Sequence, residues 1–471
     1  MTTRTTPLPD EEREKRSGAA PLWVAWVLCA ALVAELVRLR TAPDVDLWLH
    51  LRIGAELRSG TWFGRLPDPM AVLADRPYAP TQWLAERGML AVHDAAGVLG
   101  LHVVRALLLV ALAGLLHATA RRWTGPLAAV VVATAGTVAT SAGWGERPQL
   151  LGIVATALTL LLWTGTLHDT RPRWVLVPVA WLWAMVHGSW PVGVALGVLV
   201  LVGLALERPR RDVPWGRLAA VLVGTALAPA LTPLGPGLLL EPFAVGVAAR
   251  STVNEWRAPS PGNPLLVLVV ALTVVVVVRA VRARRLDPAT LLLAAAGVVL
   301  AATSVRTIAL GALLLVPALA RSFPRAAPTV APRRELLPAA VAALVLLVVP
   351  GVALGGPQAG PLPPTVDAAL ERLPDGTTTV VDAYASGWVL WTHPRVRVLR
   401  DLRAEVYSPA TAAAYEDLTA ARPGWPAYAD AHDVRAVVIR AGEPLDRALA
   451  GTGGWARTAA DGDWALWTRA G

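Results

Sequence analysis

The sequence contains very little cysteine, lysine and charge. Its 471 residues include one cysteine, Cys29, and one lysine, Lys15, and only 16% of the residues are charged. A single cysteine excludes a disulfide within the chain and leaves the redox compartment open. So little charge, combined with 55% hydrophobic residues, excludes an ordinary water-soluble protein of this length.

Long apolar runs take the place of the missing charge. Residues 265–278 and 339–349, for example, are almost all Leu, Val and Ala. Runs of about 18 or more such residues are typical of transmembrane helices. The sequence therefore predicts eleven spans, and a re-entrant or interfacial helix at residues 237–249. The predicted spans are residues 19–40, 98–118, 124–142, 148–167, 173–187, 190–206, 216–232, 263–281, 288–303, 307–321 and 335–354.

Arginine is distributed unevenly among the loops between these spans. Five short loops carry 16 arginines, whereas the short loops on the opposite side carry four. The positive-inside rule places the N-terminal tail, residues 1–18, in the cytoplasm and the chain after the last span outside. The tail lacks the features of a cleavable signal, so we expect it to be retained. Because these loops account for the net charge of +9, that charge does not predict a nucleic-acid partner.

A Pro- and Gly-rich linker at residues 355–364 divides the chain. Residues 19–354 form the predicted membrane domain, with a first outer loop at 41–97, and residues 365–471 form a predicted extracytoplasmic α/β domain. The pattern of that domain predicts strands at 377–383, 396–399 and 434–440, helices at 409–421 and 444–450, and a terminal hairpin of 455–458 with 464–469. The sequence has no evident internal repeat, which weakens the interpretation as an inverted-repeat transporter.

The predicted topology places many ionisable residues on the outer face, and ten of them are candidate site residues. Ionisable groups near membrane depth are costly and usually line a cavity or pathway. Arginines and histidines together with carboxylates are the groups expected of a site that binds phosphate and abstracts a proton. The ten residues are Asp44, Asp46, His50, Arg52, Glu86, Arg147, His187, Glu255, Arg257 and Arg306.

Purely structural roles would also explain most of these residues. Asp44 or Asp46 could cap a helix that begins at Leu47, because Asp is a preferred N-cap residue. Glu146 and Arg147 could form an ion pair with each other at a tight turn. His50 and His187 could be hydrogen-bonded structural histidines, and Arg306 could snorkel from the end of a span.

The first loop resembles that of GT-C superfamily glycosyltransferases, which carry an acidic motif there. Residues 44–54, DVDLWLHLRIG, more closely resemble an uncharacterised bacterial group with the motif Asp-x-Asp-x-Trp-Trp-His-Leu-x-x-Gly. Two positions depart from that group: Leu49 stands in place of the second Trp, and Leu402 in place of a Gly. The resemblance continues at residues 68–69, 82–86, 147–149, 187–188, 255–256, 306, 382–391 and 401–407.

The resemblance implies a polytopic α-helical enzyme of the bacterial plasma membrane. Such an enzyme would transfer a sugar from a polyprenyl-phosphate-linked donor to an extracytoplasmic glycan, lipid or protein acceptor. We expect Asp46 to be the general base, held in place by Asp44, although the reverse assignment is open. His50 would orient the base. Arg306, with Arg147 or Arg257, would stabilise the phosphate that leaves.

Metal dependence and two other functions stay open at this point. Asp44, Asp46 and His50 have the ligand types of a Mg²⁺ or Mn²⁺ site, but related enzymes differ on the need for a metal. The alternative functions are a lipid or glycan transporter or flippase, and a non-catalytic membrane scaffold with a GT-C-like fold.

Overall fold

The computed structural model describes residues 10–38, 44–61, 63–207, 213–252, 254–283, 287–324 and 360–470. The eleventh predicted span, 335–354, lies outside the described residues, as does the first half of the predicted linker. The described residues comprise a helical part up to residue 324 and a C-terminal region from residue 360.

The chain up to residue 324 is mostly helical, and each of the first ten predicted spans overlaps a helix. The segment predicted to form a re-entrant or interfacial helix contains α9. The helices are α1 (Asp10–Arg38), α2 (Asp46–Arg58), α3 (Trp83–Ala120), α4 (Pro126–Ala139), α5 (Gln149–Asp169), α6 (Leu176–Val186), α7 (Pro191–Leu206), α8 (Trp215–Leu227), α9 (Glu241–Thr252), α10 (Pro264–Ala283), α11 (Pro288–Thr303) and α12 (Ile308–Arg321).

Three of these helices are long and apolar enough to cross a membrane: Trp83–Ala120, Gln149–Asp169 and Pro264–Arg282. Five shorter apolar helices accompany them, so the total of eleven crossings stays a prediction. The backbone of α3 leaves helical geometry at Ala96 and Gly97. This kink separates the apolar half of α3 from an N-terminal half that falls within the predicted first outer loop.

Helix α12 lies at the centre of the helical part. Every residue from Ile308 to Ala320 is buried, and many of them pack in one apolar core with α3, α4, α5 and α7. A helix that is apolar on all sides is expected in such a position. The residue pair just before it, Arg306 and Thr307, is therefore held at a fixed place at one end of the bundle.

The C-terminal region is a small α/β unit, as predicted. Its five strands have the order β2-β1-β3-β5-β4, with β1 parallel to β2 and β3, and β5 antiparallel to β3 and β4. The strands are β1 (Thr378–Val381), β2 (Arg397–Val398), β3 (Val434–Arg440), β4 (Trp455–Asp461) and β5 (Trp464–Arg469). The helices are α13 (Pro364–Leu370), α14 (Ala383–Thr392), α15 (Pro409–Thr419), α16 (Trp425–Ala431) and α17 (Pro444–Ala450).

The first outer loop is built into this C-terminal unit. The backbone N–H groups of Val72 and Leu73 donate to the carbonyls of Val398 and Leu399, 3.1 and 3.0 Å away, and so attach the loop to the edge of the sheet at β2. Phe63, Met70, Ala71, Leu73 and Tyr78 belong to the same apolar core as the strands. The first outer loop and the C-terminal unit therefore pack together, and they lie against α2 at one end of the helical part.

Candidate active site

One face of α2 lines a cavity of about 460 Å³. Asp46, Leu49, His50 and Ile53 contribute to its wall, at spacings of three, four and seven residues along the helix. These spacings place side chains on one helical face. The first loop therefore presents Asp46 and His50 to the same space.

Arg147 gathers three carboxylates beside this cavity. Its Nη1 donates to Oδ2 of Asp46 at 2.7 Å and its Nη2 to Oε1 of Glu255 at 3.1 Å. Its Nε lies 2.9 Å from Oδ2 of Asp44, at ion-pair distance. Burial would lower the pKa of Arg147, but the three carboxylates outweigh it and raise that pKa. The guanidinium is thus a permanent positive charge that joins the first loop to Glu255 in the segment between α9 and α10.

The turn before α5 sends two adjacent side chains in different directions. Glu146 pairs with Arg105 and His102 of α3, whereas Arg147 faces the carboxylates, so the Glu146–Arg147 pair considered from the sequence is not formed. Gly145 gives Asp44 room to approach, because a Cβ at this position would lie 1.7 Å from Oδ2 of Asp44.

Gly145→Ala is therefore expected to reduce the sugar transfer that the first-loop resemblance implies by about 100-fold, since a small displacement in an active site costs roughly that much. The added methyl group would move Asp44, and with it the Arg147 contacts. The rate of sugar transfer by purified protein measures this effect. Gly453→Ala is the matched control, because a Cβ there meets no atom within 4 Å. Equal rates for the two variants would contradict the packing argument.

Asp44 and Asp46 occupy different environments. The Asp44 side chain is 8% exposed and accepts a hydrogen bond from the backbone N–H of Asp46 at 3.2 Å, so it holds the start of α2. Burial raises the pKa of Asp44, and the charge of Arg147 offsets part of that rise. Asp46 is 26% exposed and lines the cavity, which Asp44 does not. Asp46 is therefore the carboxylate within reach of a ligand.

A buried carboxylate contacts His50 on the side of the ring away from the cavity. Its Nδ1 lies 3.0 Å from Oε1 of Glu86, whose side chain is fully buried. Glu86 does not line the cavity but fixes the imidazole ring that does. With Nδ1 engaged, Nε2 is the ring nitrogen left for a ligand.

The residues that the sequence suggested for a metal do not fit one in this arrangement. Asp44 and Asp46 face Arg147, and His50 faces Glu86. Among the described residues, no group of three or more His, Cys, Asp or Glu side chains is arranged to hold a metal ion. Arg147 supplies the positive charge that balances these carboxylates instead.

A second cavity, of about 240 Å³, adjoins the first. Its wall is mostly apolar and includes His187, whose Nδ1 lies 2.7 Å from Oγ of Ser189. Arg306 lines both cavities; its Nη1 is 3.7 Å from Oε2 of Glu255, and its guanidinium lies 5.5 Å from the Trp256 ring centroid. The residues common to both walls are Gln82, Gln149, Val245, Trp256, Arg306 and Glu405.

Arg52 and Arg257, which the sequence grouped with the site, lie outside both cavities. Arg52 is six residues beyond Asp46 on α2 and so lies on another face, where it pairs with Glu56 at 2.5 Å. The side chain of Arg257 is exposed. A position in a predicted outer loop is therefore not sufficient to bring an arginine to the site.

The C-terminal unit contributes wall residues that sequence reasoning did not select. Ala383, Tyr384, Leu402, Arg403, Ala404 and Glu405 all line the larger cavity. The available signals were the stretches 382–391 and 401–407, which both resemble segments of the bacterial group, and the second of which carries three charged residues. Nothing in the sequence indicated that this second stretch reaches α2, because the stretch and the helix are separated by some 350 residues.

No protein-family model matches the chain, and no curated protein matches its sequence. Among solved structures, the chain is similar to the oligosaccharyltransferase of Archaeoglobus fulgidus, in a crystal structure with an acceptor peptide tethered by a disulfide bond. The TM-score is 0.53 and the identity 13%, over 88% of this chain and 69% of that chain. At this identity the likeness shows the fold, and it supports the GT-C-like fold expected from the first loop.

Proposed function

We propose that this protein is a membrane glycosyltransferase that moves a sugar from a polyprenyl-phosphate-linked donor to an acceptor on the outer side of the membrane. The observation that carries the proposal is the pair of adjoining cavities, one containing Asp46 and the Arg147 cluster and the other mostly apolar, with Arg306 in the shared wall. A lipid-linked sugar phosphate has the same order of parts: a polar sugar, an anionic phosphate and an apolar chain.

In this proposal Asp46 is the general base. It takes the proton of an acceptor hydroxyl while the hydroxyl oxygen attacks the anomeric carbon, and such transfer typically contributes about 100- to 10,000-fold. Arg306 donates to the phosphate as it leaves with the bonding electron pair.

The apolar side of the site provides a path for the lipid. Helix α9 supplies Pro242, Phe243 and Val245 to the smaller cavity. The side chains of Leu240, Phe243 and Val247 on and next to this helix are largely exposed. Exposed apolar surface of this kind marks contact with a membrane or an apolar ligand. The isoprenoid chain of the donor would lie there.

The topology and domain organisation belong to the same proposal. Eleven spans in a bacterial plasma membrane would leave residues 1–18 in the cytoplasm and residues 365–471, after the linker 355–364, outside. The acceptor, whether glycan, lipid or protein, would approach from the side of the C-terminal unit.

Asp46→Asn is expected to lower sugar transfer by at least 100-fold, because an amide cannot take the acceptor proton. The melting temperature should stay close to that of the wild type, since the amide keeps the size of the carboxylate and an acceptor oxygen for Arg147. A screen of purified protein against polyprenyl-phosphate sugars, with Asp463→Asn as an exposed control on the β4–β5 turn, measures both quantities.

The outcomes of that screen separate the candidate functions. Full transfer by Asp46→Asn contradicts the base assignment. A wild-type protein that transfers no sugar from any donor, but moves labelled lipid phosphate across liposome membranes, would contradict the enzyme and support a flippase. If the protein shows neither sugar transfer nor lipid movement, a non-catalytic scaffold is the remaining interpretation.

A further inference from the structure

Glu405 lies where the two cavities meet. It belongs to the short helical turn Ala404–Val406 of the C-terminal unit, and it lines both the polar and the apolar cavity. Arg306, the proposed phosphate-binding residue, lines the same two cavities from the opposite, helical part. A phosphate between the sugar and the lipid would therefore meet Arg306 on one side and Glu405 on the other.

Glu405 differs from the other carboxylates of this wall. Asp46 and Glu255 both accept hydrogen bonds from Arg147. The side chain of Glu405 has no ion pair within 4 Å among the described residues. Its side chain is partly buried, and the turn that carries it packs against α9. A carboxylate with no cation next to a phosphate would repel it, whereas a neutral carboxyl group would donate a hydrogen bond.

The surroundings of Glu405 favour the neutral form mainly through burial. Burial raises the pKa of Glu405; the hydrogen bond from its own backbone N–H and the charge of Arg403 offset part of that rise, and the carboxylates of Asp401 and Glu86 add to it. Arg403 is already engaged by Asp68 and Asp401. Tyr78, which also lines the polar cavity, is neutral because burial raises its pKa well above 10. Helix α9 presents the apolar Val245 to both cavities, and Arg306 is the cation across the space.

We infer that Glu405 is the general acid of the reaction: its carboxyl group donates a proton to the departing phosphate. This rests on the proposed function. The bond from the anomeric carbon to the phosphate oxygen breaks, the electron pair stays on that oxygen, and the oxygen takes the Glu405 proton. The acceptor oxygen bonds to the anomeric carbon and its proton passes to Asp46. Exchange with water then returns a proton to Glu405 and removes one from Asp46. Two carboxyl groups with opposite protonation states suit opposite ends of one transfer.

Binding of undecaprenyl phosphate tests the protonation state without any turnover. We expect the wild-type protein in nanodiscs to bind this lipid at least tenfold more weakly as the pH rises through the raised pKa of Glu405, because the carboxylate then repels the phosphate. The phosphate itself titrates near pH 6. Glu405→Gln keeps that titration but loses the Glu405 step, so its affinity should depend less on pH. Glu416→Gln, an exposed change on α15, should behave as the wild type.

The outcomes are distinct for this inference and for the proposed function. Identical pH dependence in wild type and Glu405→Gln contradicts the role of Glu405 but leaves the proposed function standing. No binding of undecaprenyl phosphate by the wild type at any pH contradicts the proposed function itself. If Glu405→Gln does not fold, Glu405→Met removes the titrating group at similar volume, and the same comparison applies.

Turnover provides the second readout. With a donor that supports transfer, Glu405→Gln should lower kcat by about 100-fold or more and abolish the fall in kcat on the alkaline side, with little change in KM. In the wild type, kcat falls on the alkaline side because a general acid loses its proton when the pH exceeds its pKa. If Glu405→Gln instead abolishes the fall in kcat on the acidic side, Glu405 acts as a base. That result would overturn the assignment of Glu405 as the general acid.

Discussion

Replacing Arg147 with Met is expected to destabilise the protein by about 3–5 kcal/mol and to abolish sugar transfer. Arg147 is the common partner of Asp44, Asp46 and Glu255, whose side chains are 8%, 26% and 40% exposed. Removing the guanidinium leaves three carboxylates that repel one another, and Arg306, whose Nη1 lies 3.7 Å from Glu255, offsets only part of their charge. Removing one partner of a buried ion pair costs more than exchanging the whole pair, because the remaining charge stays desolvated.

Unfolding of the purified variant in detergent measures this loss. Arg422→Met is the matched control, since Arg422 forms an ion pair with Asp417 that is more than half exposed on both sides, and such pairs contribute about 0–1 kcal/mol. The triple variant Arg147→Met, Asp46→Asn and Glu255→Gln should recover part of the stability but none of the transfer. A single Arg147→Met variant as stable as the control would contradict the view that this guanidinium holds the site together.

Replacing Arg403 with Met is expected to cost a similar amount, about 3–5 kcal/mol, at the junction of the first loop and the C-terminal unit. Arg403 donates from both terminal nitrogens to Asp68, at 3.0 and 2.7 Å, and from Nε to Asp401 at 2.8 Å. Tyr407 donates to the same Asp401 at 3.0 Å. The three charged side chains are almost fully buried, so two carboxylates would lose their shared cation.

The loss at Arg403 should appear as detachment of the first loop. Limited proteolysis between residues 60 and 80 should become faster in Arg403→Met, while the exposed control Arg435→Met should be cleaved as the wild type is. Since Arg403 also lines the larger cavity, transfer should fall as well. Unchanged stability and unchanged cleavage would show that the apolar core shared by Phe63, Tyr78 and the strands holds the loop without the ion pairs.

Several site residues could be selected from the sequence because charge alternation assigned their loops to one side. Asp46, Arg147, Glu255 and Arg306 were grouped in this way, and they meet at one cavity. Charge alternation predicts on which side of the membrane a loop lies, but it does not predict the direction in which each side chain of that loop points. Arg52 was therefore included although it faces away on α2, and Glu405 was left out although it lines both cavities.

The sequence by itself determined the features that depend on local pattern. Apolar run length predicted the positions of the helices, and alternation with turn residues predicted the strands of the C-terminal unit, because both signals are complete within a few neighbouring residues. Composition predicted the membrane character, and the resemblance of the first loop led to the expectation of a GT-C-like fold, which the likeness to a solved oligosaccharyltransferase supports.

Only the tertiary structure decided which charges share a partner. Arg147 meets Asp46 and Glu255 across 101 and 108 residues of chain, and Arg403 meets Asp68 across 335. Neighbours such as Glu146 and Arg147 end in different networks, since consecutive side chains at a turn leave the backbone in different directions. Low charge together with high hydrophobicity excludes an ordinary water-soluble protein, but the few charges that remain acquire their roles only from the packing that brings them together.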